Sequence, residues 1–264
     1  MRKNHEIDFK IIGEELQCVE IELDPQETAV GESGSFMMMD EGIIMETIFG
    51  DGSEQPGGFF QKMVSAGKRL LVGESLFMTA FTNHAAIKQR VTFAAPYPGK
   101  IIPMDLQALN GKIICQKDAF LCAAKGVNIG IEFQKKLGTG LFGGEGFIME
   151  KLEGDGMAFV HAGGIVVEKT LQIGELIKID TGCIVGFTAG VDYDIQFVGG
   201  IKNTIFGGEG LFFASLRGPG KVWIQSLPVS RLAGRILQYA TTSRREEGSV
   251  LGGLGNLLDG DGWR

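Results

Sequence analysis

The sequence predicts an all-β protein of three repeated β-sandwich-like modules, and three observations carry this prediction. The segment FGGEGF at 142–147 returns as FGGEGL at 206–211, a shift of 64 residues. A weaker copy lies upstream, where GESLF at 73–77 aligns with GEGLF at 208–212. Short runs of alternating polar and apolar residues, separated by tight-turn dipeptides, fill much of the remaining chain. Repeated strands bury their apolar faces against neighbouring copies, which favours an arrangement with approximate three-fold symmetry.

The overall composition fits one large globular β domain. Of the 264 residues, 44% are hydrophobic and 22% are charged, and the 41 glycines greatly outnumber the 7 prolines. These proportions exclude a disordered chain and indicate many tight turns. The formal net charge of −7 repels phosphate backbones at long range, so nucleic acid is a disfavoured partner.

Strand periodicity is clear at residues 16–23, where Val19, Ile21 and Leu23 share one face, and again at residues 127–134. The turns between such runs carry dipeptides whose second residue accepts a positive φ. These dipeptides are Asp51-Gly52, Pro98-Gly99, Asn110-Gly111, Asp155-Gly156 and Pro219-Gly220. Many short strands with tight turns are typical of sandwiches and barrels.

We divide the chain into one β domain over residues 1–228 and a C-terminal region over residues 229–264. The three modules of the β domain span about 27–99, 109–164 and 178–228. After Pro228, apolar residues recur at helical spacing, which predicts a short amphipathic helix with Ser230 as its N-cap. Residues 241–264 are rich in glycine and charge, so they form either a mobile tail or a partner-binding segment.

Neither a secretory signal nor a membrane-spanning helix is expected. No apolar run reaches the ~18 residues of a spanning helix, and the first residues lead directly into an alternating pattern. Cys18, Cys115, Cys122 and Cys183 stand singly in apolar stretches, as buried cysteines do in a reducing compartment. We therefore expect a cytoplasmic protein, and peripheral membrane association stays open.

Several longer motifs resemble one known family. They are VGESG at 30–34, MDEGI at 39–43, APYPGKI at 95–101, DTGC at 180–183 and GPGKVW at 218–223, together with the two FGGEG segments. In this order they resemble the bacterial and archaeal relatives of the mitochondrial-biogenesis protein family of fungi, over about residues 5–230. The resemblance implies a fold similar to that of the tryptophan RNA-binding attenuator protein. It brings no catalytic residue, because the function of the family is uncharacterised.

The repeated Gly-Glu segments hold the candidate site residues. Glu74, Glu145 and Glu209 occupy the same place in the three copies, between small residues. Each carboxylate can accept hydrogen bonds from the backbone N–H groups of its own turn, which is the favoured interpretation. In the alternative, the three carboxylates meet near a symmetry axis and hold a hard cation. The candidate turn or binding positions are Glu74, Gly143, Gly144, Glu145, Gly146, Gly207, Gly208, Glu209 and Gly210.

Motifs of enzymes and cofactor sites are incomplete. GTGLFG at 138–143 satisfies the GxGxxG pattern, but the glycines and alternating residues after it are incompatible with the helix that a pyrophosphate requires. His5, His84 and His161 are widely separated, and no Ser-His-Asp order can be assembled. We expect no catalytic residue, cofactor or metal.

Two further groups of residues have competing interpretations. Methionines at 37–39 and 45 could line a pliable binding surface, but core filling is the favoured interpretation in an alternating run. The basic residues at 135–136 and at 231, 235, 244 and 245 could bind an anionic partner, but a solvated face is favoured.

These observations favour a non-enzymatic scaffold or protein-interaction module that forms homo-oligomers and binds an unknown protein partner. An RNA- or small-ligand-binding protein is the alternative, suggested by the attenuator-like fold alone. An enzyme with an unfamiliar site would instead show a polar cluster with strongly shifted pKa values inside a pocket.

Overall fold

Antiparallel β-strands form nearly all the regular structure in the described part of the chain. In this computed structural model, residues 3–32, 34–49, 77–135, 147–198, 211–237 and 239 are described. The first strand, β1, spans Asp8–Ile12. The next six strands are β2 (Cys18–Leu23), β3 (Thr28–Glu32), β4 (Phe36–Met39), β5 (Ile43–Phe49), β6 (Phe77–Asn83) and β7 (Gln89–Ala94).

The remaining strands follow in two further groups of six. The middle group is β8 (Gly99–Asp105), β9 (Lys112–Gln116), β10 (Phe120–Ala124), β11 (Asn128–Lys135), β12 (Phe147–Glu153) and β13 (Met157–Gly163). The last group is β14 (Val166–Leu171), β15 (Leu176–Asp180), β16 (Ile184–Thr188), β17 (Asp192–Val198), β18 (Leu211–Arg217) and β19 (Gly220–Gln225).

The strands form four antiparallel sheets in the described residues. Their orders are β1-β2-β7-β4, β5-β6-β3-β10-β13-β8, β11-β12-β9-β16-β19-β14 and β15-β18-β17. The all-β class predicted from the alternation and the turn dipeptides is confirmed.

The same pairing pattern occurs in the groups β2–β7, β8–β13 and β14–β19. In each group the sixth strand pairs with the first and the third, and the fifth pairs with the second and the fourth. A register irregularity also falls at the same place in the third strand of each group. It lies between Phe36 and Met38 in β4, between Phe120 and Cys122 in β10, and between Ile184 and Gly186 in β16.

Two edge-to-edge joints connect the groups. β3 pairs with β10 at three positions, and β9 pairs with β16 at three positions, so the second strand of one group joins the third strand of the next. Within the described residues, β4 pairs only with β7, and β15 pairs only with β18. β4 and β15 therefore each keep one open edge.

The hydrophobic core crosses these joints. Val30, Leu152 and Trp223, which come from the three different groups, belong to one buried cluster. A second cluster joins Phe93 to Phe159 across the first joint. Burying a large apolar side chain contributes roughly 1.5–3 kcal/mol, so separating the groups would expose apolar area in every cluster.

The turn glycines take positive φ at some of the predicted positions and not at others. Gly111 has a φ of 81°, as predicted, and Gly220 also has a positive φ; Asn110 has a φ of 61°, which was not predicted. Gly99 and Gly156 do not, so the prediction is wrong there. At Gly99 the reason for glycine is close packing, because a Cβ atom would collide with the carbonyl oxygen of Ala162 on β13. Asp51-Gly52 lies outside the described residues.

Strand alternation is confirmed in β2 but is broken in β11. Val127 and Ile129 are buried, whereas the Ile131 side chain is 39% exposed. The register of β11 shifts between Ile131 and Phe133, so the alternation breaks where the strand bulges.

The predicted C-terminal helix is present at residues 229–237. Ser230 lies inside the helix, so its assignment as N-cap is wrong; the carbonyl oxygen of Pro228 accepts hydrogen bonds from the N–H groups of Arg231 and Leu232. Ile236 and Leu237 are 61% and 63% exposed. The tail at 241–264 lies outside the described residues. None of the described helices is long and apolar enough to cross a membrane.

Candidate functional site

The repeated Gly-Glu segments are not among the described residues. Glu74, Glu145, Glu209 and their neighbouring glycines, together with the GxGxxG segment at 138–143, lie outside the described residues. The turn and symmetric-site interpretations of these glutamates both stay predictions.

The open edge of β4 is an exposed apolar surface. Phe36, Met37, Met38 and Met39 are 40%, 55%, 49% and 37% exposed, and Met45 on β5 is 47% exposed. The expectation that these methionines fill the core is therefore wrong. The reason is the unpaired edge, since β10 and β16, which hold the corresponding place in the other two groups, are almost fully buried.

Backbone hydrogen bonds hold β4 in place on the side of β7. The N–H of Ala94 donates to the carbonyl oxygen of Ser35 at 2.8 Å, and the N–H of Asp40 donates to that of Arg90 at 2.9 Å. The Asp40 carboxylate accepts the Arg90 N–H at 2.8 Å in return. The Phe36 ring stacks on Phe81, with 5.4 Å between ring centroids. β4 is thus a fixed strand rather than a frayed end.

The open edge of β15 is partly apolar and carries one cation. Leu176 is 46% exposed and Lys178 is exposed, while Ile179 is buried. The end of the strand is anchored, because Asp180 Oδ1 accepts the N–H of Gly182 at 2.9 Å and Asp180 Oδ2 accepts a hydrogen bond from Arg231 at 3.2 Å. Arg231, a candidate for binding anions, therefore already contacts a carboxylate.

A separate cluster of ionisable groups, of which Glu150 is buried and Glu32 is partly buried, lies around the end of β3 and the middle of β12. Burial raises the pKa of Glu150 to about 8, and the neighbouring Glu32 adds to the shift while Lys117 opposes it. Burial also raises the pKa of Glu32 to about 7, with a further contribution from Asp118. Both glutamates can therefore hold a proton near neutral pH, because the charged form is poorly solvated. Glu150 is only 1% exposed, so a solute cannot reach it without opening the fold.

His161 is buried on β13 against Tyr97, with ring centroids 4.3 Å apart. Its two ring nitrogens are the buried side-chain polar atoms without a hydrogen-bond partner in the described residues. Burial lowers the pKa of His161 to about 4. Gln225 holds the corresponding place on β19 and is fully engaged, accepting the N–H of Gly163 at 2.8 Å and donating to the carbonyl oxygen of Gly182 at 2.9 Å. His161 is therefore a neutral core residue.

The cysteines do not form a reactive or metal-binding group. All four are free thiols; Cys115 and Cys122 are buried, and burial raises the pKa of both. Cys18 and Cys183 are partly buried. No group of three or more histidine, cysteine or acidic side chains in the described residues could hold a metal ion.

Sequence reasoning missed Glu150, although a signal was present. Strand parity places Glu150 on the same face as Ile148 and Leu152, both buried. A lone acid between two buried apolar residues of a strand predicts a buried carboxyl group. Its interaction with Glu32 carried no such signal, because the two residues belong to different strand groups.

Comparison with known proteins agrees with the motifs in the sequence. The profile of the mitochondrial biogenesis AIM24 family matches residues 9–227. The chain belongs to this family. An uncharacterized protein of Streptococcus pyogenes serotype M6 is 30% identical over 228 residues that cover 85% of this chain and 87% of the relative. The crystal structure of another Streptococcus pyogenes protein covers 89% of this chain and 100% of its own, with a TM-score of 0.68 and 25% identity. The predicted family resemblance is confirmed.

Proposed function

We propose that this AIM24-family protein is a non-enzymatic β scaffold that associates with other copies through the open edges of β4 and β15. The observation that carries the proposal is the contrast in burial between equivalent strands. β3, β9, β10 and β16 meet at the two joints and are almost fully buried, whereas β4 is exposed along its whole length. A strand with an unpaired, apolar edge is a template for pairing with another chain.

The β4 edge is unprotected in a way that favours association. Soluble proteins guard free edges with charges, prolines or strongly twisted bulges. β4 instead presents four consecutive apolar side chains, Phe36 to Met39, and no charge within the strand. Methionine is pliable and polarizable, so such a surface accommodates a partner at low cost in strain.

The scaffold comprises three related modules, as the repeated sequence predicts, and its fold is of the attenuator-like kind with approximate three-fold symmetry. The recurring strand pairing and the aligned register irregularities support this part of the proposal. The corresponding third joint, between β4 and β15, is open within the described residues. The open edges of β4 and β15 are therefore the two edges through which copies can assemble.

A non-enzymatic role accounts for the shifted pKa values better than catalysis does. Glu150, whose pKa is raised, and His161, whose pKa is lowered, are each 1% exposed. A catalytic group must come within hydrogen-bond distance of its substrate. We place the scaffold in the cytoplasm, where the four free thiols would stay reduced, and we expect its further partner to be a protein.

The proposal is tested by measuring the mass of the full-length protein in solution. Size-exclusion chromatography with light scattering should give a mass above that of one chain. A variant with Met37→Lys, Met38→Lys and Met39→Lys should elute as a monomer, because three cations on one edge oppose strand pairing. A matched control changes three exposed apolar residues elsewhere to lysine, at Ile87, Ile165 and Ile173, and should keep the wild-type mass. A wild-type protein that is monomeric at every concentration would refute the proposal.

A further inference from the structure

We infer that β4 of one copy pairs antiparallel with β15 of a second copy, with Met38 opposite Ile179 and Met39 opposite Lys178. This inference rests on the proposed self-association and adds its partner, its strands and its register. The resulting joint would extend the sheet β1-β2-β7-β4 into the sheet β15-β18-β17. Apart from the additional strand β1, its order would then match that of the two six-stranded sheets.

The register follows from the two joints already present. At the first joint Cys122 lies opposite Gly31 and Ala123 opposite Val30. At the second joint Gly186 lies opposite Cys115 and Phe187 opposite Ile114. The first pair of each joint follows one rule. One member lies two positions after the residue at which the register irregularity starts, and it is Cys122 in β10 or Gly186 in β16. The other member is the fourth residue of the partner strand, Gly31 in β3 or Cys115 in β9.

The same positions in the open strands are Met38 and Ile179. Met38 follows the register irregularity of β4, as Cys122 and Gly186 do in β10 and β16. Ile179 lies opposite Ala214 on β18, as Cys115 lies opposite Glu150 on β12 and Gly31 opposite Thr79 on β6. The next pair along the strands is then Met39 with Lys178.

The side chains and backbone of the two edges are compatible with this register. Met38 is 49% exposed and would cover the already buried Ile179. The methylene stem of Lys178 can lie along Met39 while its ammonium group stays in water. The N–H of Asp40 points to β7, where it donates to Arg90. Since successive residues of a strand direct their backbone groups to opposite sides, the N–H of Met39 points to the open edge.

A second copy is the partner that fits both edges. Each chain carries one strand of the β4 kind and one of the β15 kind, and within the described residues they are not paired with each other. A joint between unlike edges is heterologous, so repeating it builds a closed ring or an open filament. Each joint inside the chain pairs the second strand of one group with the third strand of another, and these are the places that β15 and β4 hold in their own groups. The edges of these two kinds of strand are therefore complementary in shape.

Disulfide trapping between two variants, each carrying one introduced cysteine beside the buried Cys115 and Cys122, tests the register. The background is full-length protein with Cys18→Ser and Cys183→Ala, since these two cysteines are only partly buried. Protein with Met38→Cys, carrying a mass tag, is mixed with untagged protein carrying Ile179→Cys under mild oxidation. Directly opposed strand residues have Cα atoms about 4.5–5.5 Å apart, within the range of a disulfide. The off-register control pairs Met39→Cys with Ile179→Cys, whose side chains would point to opposite faces.

We expect a tagged-untagged product that forms about tenfold faster than in the control, because only the in-register pair brings the two sulfur atoms together. Oligomers without this product, or with equal rates in both pairs, would overturn the inference and leave the proposed function standing. A monomeric wild type would overturn both. If the double variant Met38→Cys/Ile179→Cys forms its disulfide within one chain at every dilution, β4 pairs with β15 of the same chain. The inference that the partner is a second copy would then be wrong.

A pair of charge variants gives an independent reading of the same register. Met39→Lys places two ammonium groups opposite each other across the joint and should weaken self-association. Adding Lys178→Glu to the same chain converts this pair to opposite charges and should restore the wild-type mass. Adding Lys169→Glu, on β14, should not restore it. Equal rescue by both changes would show a general charge effect and would count against the register.

Discussion

Asn4 and Asp155 bind each other's backbone. Asn4 Oδ1 accepts the N–H of Asp155 at 2.9 Å, and Asp155 Oδ1 accepts the N–H of Asn4 at 2.9 Å. Asp155 Oδ2 also accepts the N–H of Lys3 at 2.7 Å. This reciprocal pair fastens the N-terminal segment to the turn between β12 and β13, so the start of the chain forms part of the middle strand group.

Asn4→Ala should lower the free energy of unfolding by about 1–3 kcal/mol, because it leaves the partly buried backbone N–H of Asp155 without its acceptor. Asp155→Ala should have a similar effect. The double variant should lose less than the sum, since both changes break one shared unit. Urea denaturation followed by tryptophan fluorescence measures all three. Strict additivity would show that the two hydrogen bonds act independently.

The sequence predicts the strands of this protein better than it predicts their edges. In β2, Val19, Ile21 and Leu23 were placed on one face by periodicity alone, and all three are buried. In β4, the methionines at 37–39 were interpreted as core. That prediction failed because burial of an edge strand depends on whether a distant strand pairs with it, and local periodicity carries no such information.

The candidate site shows the same division between local and distant information. Repetition selected Glu74, Glu145 and Glu209, whose arrangement in the fold stays a prediction. The alternation of side chains along β12 could have identified Glu150 as buried, because that alternation depends on the sequence of one strand alone. Its electrostatic neighbours Glu32 and Asp118 come from other segments, so only the folded chain brings them together.

Gly31 is required because the Phe93 ring packs against its Cα atom. An added Cβ atom would collide with the Phe93 ring, which is fully buried. Gly31→Ala should therefore lower the free energy of unfolding by about 1–3 kcal/mol. Gly234→Ala is the matched control, since no heavy atom lies within 4 Å of its added Cβ and the residue is helical. Thermal unfolding should show a lower Tm for the first variant only; equal effects would contradict the packing argument.

The repeated glutamates are tested by additivity and by cations. If each carboxylate holds its own turn, Glu145→Gln and Glu209→Gln should each lower the free energy of unfolding by about 0.5–2 kcal/mol, and the effects should add. Calcium or magnesium should then leave the Tm of the wild type unchanged. A calcium-dependent rise in Tm that disappears in the double variant would instead support the symmetric cation site.

The buried carboxyl groups should make stability depend on pH in an unusual direction. The pKa of Glu150 rises from its ordinary value of 4.5 to about 8 on folding. Between these values the folded state binds more protons than the unfolded state, so the free energy of unfolding falls as pH rises. Glu32 acts in the same direction up to about pH 7. His161 acts oppositely, but only between pH 4 and 6.5, because its pKa is lowered from 6.5 to about 4.

Glu150→Gln separates these contributions, because variant and wild type both keep His161 and its contribution cancels in the difference between them. Glutamine keeps the size of the side chain and cannot ionise, so the variant should not lose the stability that the wild type loses as Glu150 gives up its proton. The difference in unfolding free energy between variant and wild type should therefore grow with pH, by up to about 1.4 kcal/mol per pH unit. Urea denaturation at closely spaced pH values measures it. The control Glu46→Gln changes an exposed carboxylate on β5 and should keep one constant difference from the wild type. A constant difference for Glu150→Gln as well would mean that Glu150 is already ionised in the folded protein, with Lys117 or solvent compensating its charge.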